Sequence, residues 1–599
     1  MSRVILVIGS LAPVACREII ENLNRDHLSV LEFEICMPIN ARPLGVQWVN
    51  ARDYHGIKEY DRIDDQANEL LEIFLESDGV CYPDLELSRD FRAACLGMDC
   101  RKLINPYLVN LDIAIRFFAS RPSFDQIIVA PGAGISFKAW RQIAKLQGLP
   151  IRFLPVEKHP WFFRRKILRL QQRWRLCNAS IKKDHHAQQL GSMAEICCAS
   201  SRVARILGSP NDLSWSYVSE SSFGSPPANE LAELKARYKS WWQGREDYYN
   251  QLVQIKPASP FSVLIDLGRQ QVSEVYPVFA WKYQRALRHL EVNRPRLLIV
   301  DTQEGSHDLA WALAGKKLGI PVAVYTYDFL VEPKFSLQPD WVLCDSGRQS
   351  FIAMARGLAD TSIIRVDSMR KPKLIRLRNE RRSDPVIIYA DTYYSGVTAT
   401  VDPQQCRRNY ITIIETARQM PECLFQIKFH PLRGRKKEHQ SFAAMDEHEL
   451  YLSTQFIQSL NPPKNIRLIA PEKNIMPYLE AADVVLNSNS IVGLEAFQIG
   501  IPVIFLDPPD TRTGFPRIND YGACELARNS EELQSELLRL LSNSTHAQGL
   551  VARQRRYVDE FYWGVDSQTL AQGIQSILSK LDTVSHTAST GTPAAGPNF

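Results

Sequence analysis

An α/β protein built from parallel, doubly wound sheets is what this chain of 599 residues predicts. Runs of buried-strand length recur at 4–8, 124–129, 297–300, 322–325, 341–344, 386–390, 424–431, 466–470, 484–486 and 503–505. Helical stretches separate many of them, and three stop at a glycine with a proline two residues on: Gly148 and Pro150, Gly319 and Pro321, Gly500 and Pro502. Polar residues gather where the strands end, the edge at which such sheets bind ligands.

A chain of this length exceeds a single hydrophobic core, so two or three domains are expected. With 45% apolar and 23% charged residues the composition is that of an ordinary globular protein. A net charge of +5 is small for the length, and no zinc-finger, RNP or leucine-zipper pattern occurs, so a nucleic-acid partner is not expected. The 12 cysteines are scattered, with Cys197 and Cys198 adjacent and no Cys-x-x-Cys, which suggests free thiols in a reducing cytosol. The apolar run at the start is too short for a signal peptide and reads as a first strand. No run of about 18 apolar residues is present, so a membrane-spanning helix is not expected.

In chain order, strand 4–8 leads through Gly9 into a helix, and a second strand follows near 30–36. Residues 50–123 read as mainly helical and carry no recognisable chemistry. The strand ending near Val129, its glycine turn and its helix lead to Gly148 and a strand reaching Pro155. This unit aligns without a gap on a later one: Ile128, Gly134, Trp140, Lys145, Gly148 and Pro150 match Ile299, Gly305, Trp311, Lys316, Gly319 and Pro321. Two similar units of one sheet, or a duplication, would produce this.

Between the copies lies a segment of other composition. Residues 161–176 hold many cations, several aromatics and no acid. A helix there would line Phe163, Ile167, Leu170 and Trp174 along one side. Three roles fit: a surface helix packed on its own domain, a helix in the headgroup layer of an anionic bilayer, or a groove for an anionic glycan. The sheet pattern returns at 297–300 and runs into Asp301, Glu304, His307 and Asp308. Glu157, after the strand reaching Pro155, is a further acid at a strand end. Residues 369–384, rich in Arg and Lys, read as a linker between lobes.

The C-terminal part carries the most pointed pattern. The strand 424–431 ends in Lys428, His430 and the helix-breaking Pro431, which places the imidazole at a strand end. The strand 484–486 is followed by Ser488, Asn489 and Ser490 and then a helix containing Glu495 about one and a half turns in. Hydroxyls, an amide, free backbone N–H groups and the positive end of a helix dipole suit a phosphate. A carboxylate at Glu495 suits ribose hydroxyls. Ser and Asn are equally the preferred helix caps, so capping competes with ligand binding for the serines.

Strand-end Lys-x-His-Pro followed by Ser-x-Ser-x-x-Gly-x-Glu-Ala resembles the C-terminal lobe of GT-B glycosyltransferases. The nearer likeness is to the bacterial capsule and envelope group: capsular Kdo transferases, HP-motif sialyltransferases and CDP-glycerol glycerophosphotransferases. It covers roughly 385–507. The resemblance implies a GT-B fold with two Rossmann-like lobes about a central cleft: an acceptor-side lobe at 1–370 with a helical, basic insertion at about 157–290, a nucleotide-sugar lobe at 371–582, and a disordered tail at 583–599. It implies a glycosyltransferase that moves a sugar, CMP-activated by preference, to a surface polysaccharide or lipid-linked glycan. The donor would be held by Lys428, His430, Pro431, Ser488, Asn489, Ser490 and Glu495, with no metal and no cofactor, consistent with the lack of an Asp-x-Asp motif. Asp301, Glu304, Asp308 and Glu157 are the candidate catalytic acids. Glu304-Gly305 matches part of the acidic motif of HP-type sialyltransferases, with Gln303 in place of its first acid. A cytoplasmic site of action at the inner face of the membrane follows, with peripheral contact to anionic lipid. A sugar-nucleotide epimerase of the same architecture and a non-catalytic nucleotide- or glycan-binding scaffold are the alternatives.

Overall fold

The computed structural model describes residues 3–590 except 9–12, 24–26, 34–36, 38–40, 55–56, 77–103, 105–106, 122–123, 131–137, 155–194, 208–212, 219–225, 256–259, 302–305, 327–337, 356, 368–383, 393–404, 432–442, 510–513 and 563–567. It is a mixed α/β protein with three wholly parallel sheets.

The first sheet contains β1 (Val4–Ile8), β2 (Leu28–Glu32), β3 (Gln47–Asn50), β4 (Gln126–Val129) and β5 (Ile151–Phe153), in the order β3-β2-β1-β4-β5. The second contains β6 (Ile196–Cys198), β7 (Trp215–Tyr217), β8 (Leu297–Val300), β9 (Val322–Thr326), β10 (Trp341–Cys344) and β11 (Ile363–Arg365), in the order β11-β10-β9-β8-β6-β7. The third contains β12 (Val386–Ala390), β13 (Leu424–Lys428), β14 (Ile466–Ile469), β15 (Val484–Asn487), β16 (Val503–Leu506) and β17 (Glu525–Ala527), in the order β14-β13-β12-β15-β16-β17. Each order reverses direction once, between β1 and β4, β6 and β8, and β12 and β15. Such reversals open crevices at the C-terminal ends of the strands.

The residues expected to form the N-terminal lobe, 1–370, hold two sheets. Strands β6 and β7 lie within the range expected for the insertion, about 157–290, and β6 is the direct neighbour of β8. Both strands are three residues long, too short for a hydrophobic period to register. The two similar units also fall in different sheets, since β4 pairs with β5 in the first and β8 with β9 in the second. The basic segment 161–176 lies outside the described residues.

The first two sheets share a core. Ile5, Val7, Ile127 and Val129 from the first and Leu298, Val300, Val322 and Val324 from the second belong to one buried cluster, with Trp140 and Trp311. Helices Ala228–Ile255, Phe261–Gln270 and Tyr276–Asn293 contribute Trp241, Trp242, Leu264, Phe279 and Leu290 to it. A π-helical turn, Gln271–Val275, joins the last two helices.

The opposite face of the second sheet is sealed by the chain's last helix, Leu570–Thr590, which runs past the expected end near 581. Leu570, Ile574, Ile577 and Leu578 pack on Ile196, Leu297, Leu343 and Ile364. Arg296 pairs with Asp582, and Lys580 Nζ donates to the Thr361 carbonyl at 3.1 Å. Of the expected tail, 583–590 continues this helix, and 591–599 lies outside the described residues. The third sheet is covered on both faces, with alternate residues on each: Ile387, Tyr389, Phe425 and Ile427 point to one layer, Ile388, Val485, Val503 and Phe505 to the other. The second and third units touch where the chain leaves β10. A β-carbon on Gly347 would stand 2.0 Å from the carbonyl oxygen of Phe561, and the Phe351 and Phe561 rings meet edge to face.

Ile574 is fully buried between the last helix and the second sheet. Ile574→Ala is expected to cost about 2–5 kcal/mol, read as a lowered unfolding midpoint. An unchanged midpoint would mean that this helix does not close the sheet.

Candidate functional site

The third sheet brings the C-terminal candidates to one edge. Ala390 pairs with Lys428, Lys428 with Ile469, and Tyr389 with Leu486, so β12, β13, β14 and β15 end side by side. Asp391 follows β12, His430 and Pro431 follow β13, and Ser488, Asn489 and Ser490 follow β15 at the reversal between β12 and β15. His430, Asn489 and Glu495 are half-buried and Pro431 is exposed. Helix Val492–Ile499 begins directly after the turn, so Glu495 sits in its first turn and not one and a half turns in.

Asn487, which the sequence reading did not single out, holds the turn. Its Nδ2 donates to the Ser490 carbonyl at 3.0 Å, and the Ser490 N–H donates to its Oδ1 at 3.2 Å. A side-chain amide thus closes the turn as a backbone group would. Gly493 makes room for it, since a β-carbon there would lie 2.3 Å from Asn487 Nδ2. The signal was an Asn at a strand end before Ser-x-Ser, a pattern that also fits any turn.

The two serines behave differently from a pair of exposed ligand hydroxyls. Ser490 is buried, and its Oγ accepts from the Val492 N–H at 3.4 Å, a capping contact. Ser488 is 1% exposed and its Oγ accepts from Asn409 Nδ2 at 2.7 Å. Among the described residues its own O–H has no acceptor. Asn409 comes from helix Gln405–Gln419, whose first turn crosses the strand ends. Gln405 Nε2 donates to the Leu506 carbonyl at 3.2 Å, Cys406 Sγ lies 3.2 Å from the Thr392 carbonyl, and Arg408 pairs with Asp507 at 3.5 Å.

Lys428 is engaged within the protein through Nζ. It is 2% exposed, and Nζ donates to the carbonyls of Phe429 at 2.7 Å and Pro471 at 3.1 Å. Burial lowers its pKa, while the carboxylates of Asp391 and Glu472 act in the opposite direction. The expected donor-binding lysine is thus an internal tie between the ends of β13 and β14, neutralising buried Asp391.

The acidic candidates belong to the second sheet. Asp301 follows β8, and its Oδ2 accepts from Ser200 Oγ at 3.1 Å, Ser200 following β6 across the reversal. Ser200 Oγ also accepts from the Val203 N–H at 3.2 Å, so its single proton is committed to Asp301. Asp308 Oδ1 accepts from the Asp301 N–H at 3.4 Å from the first turn of helix Ser306–Lys317. His307 is buried edge-on against Trp311. Glu304 and Glu157 lie outside the described residues. Among the described residues no group of His, Cys, Asp or Glu is arranged to hold a metal, and no helix is long and apolar enough to cross a membrane.

No protein-family model and no curated protein matches this chain. Solved structures similar to it include UDP-GlcNAc 2-epimerase from Neisseria meningitidis bound to UDP-GlcNAc, at 12% identity, 65% of this chain, 98% of that chain and a TM-score of 0.37. The S. aureus MnaA–UDP structure gives 10%, 67%, 98% and 0.37. Acinetobacter baumannii MurG gives 12%, 50%, 78% and 0.32. Likenesses of this size carry no argument, and the site is read from its own geometry.

Lys428→Met keeps length but removes the charge that faces Asp391. It is expected to cost about 3–5 kcal/mol of stability, measured by denaturant unfolding. A variant of full stability that no longer binds nucleotide would restore Lys428 as a ligand.

Proposed function

We propose that this chain is a glycosyltransferase of GT-B type. It moves a sugar from a nucleotide-activated donor, CMP-linked by preference, to a surface polysaccharide or lipid-linked glycan. The observation that carries the reading is the set of groups gathered at the reversal of the third sheet. There a buried serine hydroxyl, whose proton has no acceptor among the described residues, adjoins the N-terminus of helix Val492–Ile499, and His430 stands at the end of a nearby strand. Those groups suit a phosphate.

In this reading the third sheet binds the donor and the second binds the acceptor. Asp301, oriented by Ser200, takes the proton of the acceptor hydroxyl as that oxygen attacks the anomeric carbon. The bond from the anomeric carbon to the nucleotide's phosphate oxygen breaks, and the electron pair leaves with the phosphate. Negative charge grows on that oxygen, and Ser488, the helix N-terminus and His430 stabilise it without a metal. Glu495, in the first turn of the helix, is the group proposed to receive ribose hydroxyls. Contact with an anionic membrane through 161–176 belongs to the same proposal.

Two measurements test it. Thermal shift with CMP, CDP, UDP and GDP is expected to show stabilisation, largest for the cytidine nucleotides; no shift with any of them would favour a scaffold without nucleotide. With a panel of nucleotide sugars, His430→Ala and Asp301→Asn are expected to lower turnover by about 100-fold or more at unchanged melting temperature. Turnover equal to the parent in both variants would overturn the assignment. Release of an epimerised sugar nucleotide without acceptor would replace transfer by epimerisation.

A further inference from the structure

Asn409 carries an inference that rests on the reading of the β15 turn as the donor-phosphate site and deepens it. Its amide is 3% exposed and donates twice, to Tyr389 Oη at 3.0 Å and to Ser488 Oγ at 2.7 Å. An amide nitrogen has two hydrogens, so both are spent. A serine hydroxyl has one hydrogen and can accept as well as donate. With its acceptor side taken by Asn409, Ser488 is left to act as a donor, and among the described residues that proton has no taker. Ser488 is 1% exposed, and a buried donor without an acceptor is costly. The group that satisfies it must accept, and it arrives at the N-terminus of an eight-residue helix, where the positive end of the helix dipole favours an anion.

We propose that Asn409 is a positioning residue that fixes Ser488 as a hydrogen-bond donor to the donor phosphate. Asn409 itself touches no ligand. It reaches the site because helix Gln405–Gln419 starts over the ends of β12 and β16, where Cys406 Sγ meets the Thr392 carbonyl and Gln405 Nε2 the Leu506 carbonyl. Tyr389, on β12, takes the second hydrogen and holds the amide in orientation.

Asn409→Asp tests this with almost no change of shape. The carboxylate can only accept, so the Ser488 proton turns inward and is lost to the phosphate. The probe is whichever of CMP, CDP, UDP and GDP binds the parent protein most tightly, with its parent nucleoside as control, both measured by titration calorimetry. Asn409→Asp and Ser488→Ala are each expected to weaken the nucleotide by at least about tenfold and to leave the nucleoside within about twofold. The decisive measurement is the double variant. If Asn409 acts through Ser488, Asn409→Asp costs nothing further in the Ser488→Ala background. An equal loss in both backgrounds would show an independent structural effect and overturn the inference while leaving the nucleotide site standing. Should Asn409→Asp fail to fold by circular dichroism, Asn409→Ala takes its place in the same cycle with the same criterion. A parent protein that binds none of the four nucleotides overturns the inference and the reading beneath it together.

Discussion

A single amide inside the protein fixes the turn at the reversal of the third sheet. Asn487 has no exposed surface, yet it binds the Ser490 carbonyl and N–H and so closes the turn between β15 and helix Val492–Ile499. The helix N-terminus carries the positive end of the helix dipole, and this turn sets where it stands. Everything that reads as phosphate chemistry hangs from it. Ser488 lies one residue beyond Asn487, and Gly493 lies where a side chain would collide with the amide. The glycine is present because of the asparagine.

Around that turn the third sheet accepts a group of buried polar residues that an apolar core would not tolerate unpaired. Asp391, Lys428 and Ser488 at the ends of adjacent strands, and Asn409 on the helix beside them, are all nearly inaccessible. Lys428 shares its hydrogens between two carbonyls, and Asp391 balances its charge. Taking both ions out of water costs more than their attraction returns unless hydrogen bonds complete the arrangement. The carbonyls of Phe429 and Pro471 supply two of them. What the arrangement secures is position: the ends of β13 and β14 are tied together beside the reversal, so the half-buried His430 is carried on a fixed strand end.

How much of this was legible follows from length scales. The apolar strands Val4–Ile8, Val386–Ala390 and Val503–Leu506 were read to within a residue of their observed limits, whereas the strand read near 30–36 stands at Leu28–Glu32. The three-residue β6 and β7 were not read, being too short for a hydrophobic period to register. The convergence of Ser488, Ser490, Lys428 and His430 on one edge was legible because strand ends in a parallel sheet share an edge. Which of them face a ligand was not. Lys428 looks like a phosphate-binding cation in sequence, and only the carbonyls of Phe429 and Pro471, one of them 43 residues away, show that it is engaged. Asn409 left no trace in the pattern, because its partners lie 20 and 79 residues from it along the chain.

The two similar units show what such a pattern measures. In each, a strand on the returning side of a sheet reversal, β4 or β8, leads through a helix to its neighbour, β5 or β9. Gly148 and Gly319 end those helices at φ of +65° and +68°, a conformation that side chains resist. The next residue then closes the helix in the same way, Leu149 N–H to the Ala144 carbonyl and Ile320 N–H to the Gly315 carbonyl. Trp140 and Trp311 hold equivalent places in the helices, and both have no exposed surface in the core the first two sheets share. The spacing that made the copies align is therefore set by one geometric requirement. The chain must leave a strand end, cross the sheet face with a buried indole inward, and turn back at a left-handed glycine. The same left-handed close recurs at Gly357, where the Leu358 N–H meets the Ala353 carbonyl, and at Gly500, where the Ile501 N–H meets the Ala496 carbonyl, so the buried indole is what the two similar units add to a close common to such helices.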